Sequence, residues 1–226
     1  MIIRKFNIEE LNLDYFVGIN QIKMDLEKFL DFSKTDNKGD ILNHFFNVIE
    51  EIQNKNENSV IQFFKDIYIL NQDHIFTACY YLQKAFLRKY NISNKKNIEL
   101  LLYLTTNRQI NKSIEAFGID YSDLIKNNLT FCIISPVNNL NSINNNVIRM
   151  LNAEEIEFTI NNQSRAKFNS IKEFFNISEN QLLPILRSYG IKIKKAKIDL
   201  SSMFSALYDL ICEKMALLSL EKIKIE

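Results

Sequence analysis

Between Gln83 and Lys112 the sequence sets seven cations (Lys84, Arg88, Lys89, Lys95, Lys96, Arg108 and Lys112) against one acid, Glu99, in a chain of formal net charge +1. Charge focused in this way suits a polyanion, because several phosphates met together release their counterions at once. A lysine-rich, solvated helix face is the plain alternative. Lys84 and Arg88 are four apart and share a helical face, and Lys95 and Lys96 follow in the next loop. Arg108 falls in the expected first turn of a helix, where the macrodipole disfavours a cation by roughly a few tenths of a kcal/mol. A phosphate held between its guanidinium and the free N–H groups would account for it, as would a bridge to an acid elsewhere.

Other chemistries find little support. No G-x-x-x-x-G-K-[ST] or G-x-G-x-x-G is present, and the four glycines are too isolated to cradle a phosphate. The two histidines, His44 and His74, have no Cys, His or carboxylate at ligand spacing, so neither zinc nor any other metal is expected. A site assembled only in the fold stays open in principle, with His74 or Asp73 as its candidates, but His74 reads as a structural histidine in the first turn of a helix. We expect no enzyme activity, no cofactor and no small-molecule substrate.

Hydrophobic content of 46%, with 17 Phe and 9 Tyr, is that of a globular chain. Four glycines and two prolines favour helices over many tight hairpins. No apolar run approaches the roughly 18 residues needed to span a membrane. Met1 to Phe6 lacks the apolar stretch of a signal peptide. Cys79, Cys132 and Cys212 are odd in number, far apart and in apolar surroundings, which points to reduced cysteines in a cytoplasmic protein. The 29 asparagines look like the imprint of an AT-rich genome.

Periodicity supplies the elements. Strands are predicted over Ile2–Ile8, Tyr15–Ile19, Val60–Phe64, Leu129–Ser135 and Glu157–Ile160. Helices are predicted over Met24–Phe32, from Asp40 through Ile52, from an Asn71–Asp73 cap to Phe86, over Ile98–Leu104, and from Thr106 to Phe117. Thr106-Asn107-Arg108-Gln109 has the form of a capping box, and Gly118 ends that helix. Further helices are expected over 138–151, Lys167–Phe175, Glu179–Tyr189 and Leu200 to about Lys222. Ser33–Gly39 and Asn54–Ser59 are polar breaks, and Lys192, Lys194, Lys195 and Lys197 make a second basic patch. The expected fold is a single mixed α/β domain over 1–226, a small, mostly antiparallel sheet flanked by about eight or nine helices.

Two stretches carry a family resemblance. His74 to Phe86 follows the form H-[LIV]-x-x-A, then variable positions, then A-F. Ile98 to Ile119, IELLLYLTTNRQINKSIEAFGI, follows LEhLLYLsxxRQIxxAhxxFGI, with Ser113 in place of a small alanine. Together they resemble the small accessory subunit of the KEOPS complex, the family of the PRPK-binding protein. The resemblance is concentrated in residues 71–135 and touches the last helix, while 33–59 and 160–199 match poorly. It implies a non-catalytic role in forming threonylcarbamoyladenosine on tRNA, where another subunit does the chemistry. It also implies two partners: the complex's atypical small kinase, and tRNA held through its 3′ end.

On this reading the RNA-binding candidates are Lys84, Arg88, Lys95, Lys96, Arg108 and Lys112. Ile75, Tyr81 and Tyr103 are surfaces for unstacked bases, although residues at helical spacing are more often core. In the last helix Phe204, Ile211 and Leu218 form one column and Met203, Leu210 and Leu217 a second. An apolar arc this wide exceeds the roughly 100° stripe of an ordinary surface helix. One column would pack on the protein's sheet and the second, Met203–Leu210–Leu217, would receive the kinase. The alternatives are a protein-only adaptor and an unrecognised enzyme.

Overall fold

The computed structural model describes residues 1–30, 37–191 and 198–220 of the chain. The second basic patch, Lys192 to Lys197, most of the Ser33–Gly39 break and the last residues of the C-terminal helix lie outside them. The structure is mixed α/β with an antiparallel sheet, as the sequence implies. Its contacts gather into two compact units, Met1–Lys65 with Ile114–Phe158, and Asp66–Ser113 with Thr159–Glu226.

The first unit holds the sheet. Strands β1 (Ile2–Ile8), β2 (Leu13–Met24), β3 (Val60–Phe64) and β4 (Asn128–Ser135) lie in the order β1-β2-β4-β3, and β5 (Ala153–Glu155) also pairs with β2. Every pairing is antiparallel. Helices α1 (Leu26–Leu30) and α2 (Lys38–Asn54) precede β3. The aromatic rings of α2 and the sheet meet in the core, Phe45 against Phe63 edge-on at 5.1 Å and Phe63 stacked on Phe131 at 4.7 Å.

β2 runs well past the expected Tyr15–Ile19. The polar pair Asn20 and Gln21 interrupts its apolar pattern, yet both are buried and bonded. Asn20 Nδ2 donates to Asn144 Oδ1 at 2.8 Å and to Glu155 Oε1 at 2.9 Å, and Gln21 Nε2 donates to Thr130 Oγ1 at 3.1 Å. The strand expected at Glu157–Ile160 is instead β5, whose Ala153, Glu154 and Glu155 pair with Met24, Lys23 and Ile22. Its composition hides it, because the partner's backbone and not its own side chains makes it a strand.

The second unit is helical. It contains α3 (Gln72–Leu87), α4 (Lys96–Thr105) and the opening turn of α5 (Ile110–Phe117), which runs on into the first unit. Helix α6 (Tyr121–Lys126), which periodicity does not predict, and α7 (Leu140–Met150) belong to the first unit. Asp120 and Asp123 form a reciprocal capping box for α6, Ser122 N to Asp120 Oδ1 at 2.7 Å and Asp120 N to Asp123 Oδ2 at 3.0 Å. Helices α8 (Arg165–Phe174), α9 (Glu179–Ser188) and α10 (Leu200–Leu220) complete the second unit. There α10 packs against α3, α9, α8 and α4, helices of the same unit. Among the described residues no helix is long and apolar enough to cross a membrane.

Helix ends explain part of the asparagine load. Asn127, Asn152 and Asn176 sit at or just after the ends of α6, α7 and α8 with φ of 56°, 48° and 50°. In a chain with so few glycines, asparagine is the next residue able to hold this left-handed conformation.

Gly118 is required for a different reason. A Cβ there would stand 2.5 Å from the Ile114 carbonyl oxygen, whose bond with the Gly118 N–H closes α5 at 2.7 Å. Gly118→Ala is expected to destabilise the fold by about 1–3 kcal/mol, since backbone must move to admit the methyl. A urea-melt midpoint equal to that of the unaltered protein would show that the turn yields freely.

Candidate nucleic-acid interface

Every site residue singled out in the sequence falls in the second unit. Helix α3 starts where Asn71 Oδ1 accepts the His74 N–H at 3.0 Å. It is buried along two faces, through Ile75, Ala78, Leu82 and Ala85 on one side and Phe76, Cys79 and Gln83 beside them. It closes with Lys89 at φ 59° and a bond from Tyr90 N to Ala85 O at 3.1 Å. Within its last turns Lys84 places its ammonium 5.7 Å from the Tyr80 ring centre, and Arg88 and Lys89 are exposed.

Glu99 orders the next loop. Its side chain is fully buried in the first turn of α4, and Oε2 accepts the N–H groups of Ile92 at 2.9 Å and Ser93 at 2.7 Å. The Ser93 hydroxyl then accepts the Lys95 N–H at 3.1 Å. Lys95 is left exposed and Lys96 half-buried, its ammonium 5.6 Å from the Phe86 ring centre; burial pulls the Lys96 pKa down. The one acid of the segment thus points inward, while Arg88, Lys89 and Lys95 are exposed. Among the described residues no carboxylate pairs with Lys84, Lys89, Lys95, Lys96 or Lys112.

The turn carrying Arg108 differs from the sequence expectation. Thr106 does not cap α5; at φ 52° it closes α4, with Asn107 N bonded to Leu102 O at 3.1 Å. Asn107 Oδ1 accepts the Gln109 N–H at 2.8 Å and leads into α5, which begins at Ile110. Arg108 therefore precedes the helix. Its guanidinium Nη1 donates to Leu218 O of α10 at 3.0 Å. Ser113, the departure from the family pattern, is buried with its hydroxyl 2.7 Å from that of Thr105, so the polar substitution is satisfied.

Two expectations need correction. Ile75 is 0% exposed and Tyr103 1%, so neither offers a face to a base; Tyr81, half-buried, is stacked on Tyr103 at 5.8 Å. In α10 the second column is not one surface. Met203 is half-buried against Arg165, Leu210 is 5% exposed and only Leu217, at 48%, is open, with Leu220 at 56% one turn on. Leu210 is buried in a helix that packs against α3, α9, α8 and α4, whereas the sequence shows only that the arc is wide. Among the described residues the exposed large hydrophobics of α10 are Leu217 and Leu220.

His74 is a structural bracket. Its ring is fully enclosed; Nδ1 accepts the Leu70 N–H at 3.3 Å and Nε2 faces Leu104 O at 3.1 Å. That pairing requires the neutral form with the proton on Nε2. Burial, with Lys167 adding to it, pulls the pKa from 6.5 to about 4 despite the carbonyl of Leu104. The unfolded chain then takes up a proton that the folded one refuses, so stability is whole above pH 6.5 and declines as pH falls toward 4. The loss expected between pH 7 and 4 is on the order of 3 kcal/mol. Urea melts across that range read it, and His74→Gln should flatten the profile; a slope unchanged in the variant would assign it elsewhere.

The family model of the kinase binding protein CGI-121 matches residues 36–219, which takes in all of these positions but Leu220. A search of curated proteins finds none that matches the sequence.

Proposed function

The chain belongs to the CGI-121 family of kinase-binding proteins, and we propose that it is a non-catalytic accessory subunit of a KEOPS-type tRNA-modification complex that binds both the small kinase subunit and tRNA. The observation that carries the RNA half is the α3–α4 hairpin, where Glu99 turns inward and Lys84, Arg88, Lys89 and Lys95 ring the loop. Lys112 adds an exposed cation on α5. Lys84 and Lys96 lie over aromatic rings, the pairing of cation and π-face that a single-stranded end can use. The fully enclosed His74 speaks against the rival enzyme reading, because no substrate can reach its ring.

Binding of intact tRNA and of tRNA without its 3′ terminal nucleotides tests this reading. The intact molecule should bind more tightly, and Arg88→Ala with Lys95→Ala should weaken it while the thermal melt stays cooperative. For every phosphate that the variant no longer engages, the slope of log K against log salt falls by about 0.7 on a single strand. A slope unchanged in the double variant would leave a protein-only adaptor with a merely solvated basic face.

The kinase half rests on the family and on the exposed end of α10. Leu217→Glu is expected to abolish co-purification with the small kinase subunit and leave the melt intact, since truncating an interface anchor typically costs about 2 kcal/mol or more. Leu210→Glu should instead lower or erase the melting transition, because it buries an unpaired carboxylate. Retention of the kinase by a folded Leu217→Glu protein would move the docking surface away from this helix end.

A further inference from the structure

We propose that the outer face of α3 reads the bases of a single strand of about three unpaired nucleotides, an inference that rests on the RNA-binding reading above. At about 100° per residue, Tyr80, Lys84 and Leu87 fall within about 60° of arc, and Arg88 lies beside them. Leu87 is 45% exposed, the only exposed large hydrophobic of α3 among the described residues, and Lys84, Arg88 and Lys89 are its neighbours across the last turn. A single exposed leucine is ordinary. One in line with a half-buried tyrosine and among cations is the interleaving of apolar and basic groups that an unstacked strand uses. One heptad before Tyr80 the same arc carries Asp73, so the cationic stretch is confined to the C-terminal half of the helix.

Both apolar groups are held in place before any ligand arrives. The Tyr80 ring meets Tyr81 edge-on at 5.4 Å, and Tyr81 is stacked at 5.8 Å on the buried Tyr103. Leu87 is the last helical residue, and the turn after it is closed by Arg88 N to Lys84 O at 3.0 Å and Tyr90 N to Ala85 O at 3.1 Å. Tyr80 and Leu87 are seven residues apart, about 10 Å along the axis at about 1.5 Å per residue. That is the length of about three nucleotides at a stacked rise of about 3.4 Å. A base laid on either group covers apolar surface, while Lys84 between them and Arg88 beyond Leu87 meet the phosphates. Because every base has a π-face, this surface registers that a base is present and not which base it is.

Fluorescence anisotropy of the full chain tests this with a tRNA transcript and with the same transcript whose 3′ terminal nucleotides lack their bases, because the two carry the same phosphates. The unaltered protein should bind the base-bearing transcript about fivefold or more tightly than the abasic one, with equal salt slopes. Leu87→Ser and Tyr80→Ala should each cut that preference by about threefold or more, through a weaker base-bearing complex, while the thermal melt stays cooperative. Leu87 is exposed, so Leu87→Ser decides alone if Tyr80→Ala does not fold. Equal binding of the two transcripts by the unaltered protein, or a preference that survives in Leu87→Ser, overturns the inference and leaves phosphate binding standing. An unaltered protein that binds neither transcript overturns the RNA reading and this inference with it.

Discussion

The candidate surface depends on where one carboxylate points. Glu99 sits in the first turn of α4, and its buried oxygen gathers the N–H groups of Ile92 and Ser93. A carboxylate is at home there, beside the positive end of the helix and with amides to bind it. Two consequences follow from the same interaction. The loop between α3 and α4 is tied down from within, so Lys95 and Lys96 are presented from a fixed backbone. The one negative charge of the segment is also withdrawn from the surface, although at short range it still tempers the field of its neighbours. A glutamate turned outward at this position would pair with the lysines and leave the loop without its tie.

A second constraint works at the opposite end of the same helices. The His74 ring joins Leu70, ahead of α3, to Leu104 at the end of α4, and Asn71 caps α3 between them. A neutral imidazole can do this because it offers one donor and one acceptor on opposite sides of a rigid plane. The α3–α4 pair is thus fixed by polar bonds at both of its ends and by apolar packing along its length. Helix α10 then lies against α3, with Tyr208 OH 2.7 Å from Thr77 Oγ1. Both proposed binding features therefore stand on one helical scaffold.

Elements whose signal is local were legible in the sequence. The period of α3, the all-apolar run of α4 and the apolar strands β3 and β4 needed no partner to be seen. What failed depends on groups distant in sequence. β2 continues through Asn20 and Gln21 because Asn144, Glu155 and Thr130 satisfy them. Thr106 and Gln109 match the letters of a capping box, but Asn107 N already bonds Leu102 O and so assigns Thr106 to the preceding helix. The aspartate pair that caps α6 departs from the S/T-x-x-E/Q form of a capping box, and the six-residue helix it opens is too short to show a period. Composition alone reads the asparagines as the imprint of an AT-rich genome, yet several hold the left-handed turns that glycines would otherwise supply.

The site itself divides along the same line. A charge excess is readable because charge is a property of residue type, and the cations of the α3–α4 hairpin are indeed largely at the surface. Which apolar residues face out is a property of neighbours, and heptad spacing cannot report it. Met203, Leu210 and Leu217 are equivalent in the sequence, but α10 is covered by α8 and α9 as well as α3, so burial changes along a single column. Arg108 shows the converse. Its cationic character allows a phosphate or a bridge to an acid, whereas one acceptor within the chain is a backbone carbonyl, and no sequence pattern marks which carbonyl a side chain will find. Charge patterning marks a cationic face, while the partners of each cation decide whether that face is also tied to the rest of the fold. For Arg108 the tie is its bond to Leu218 O in α10.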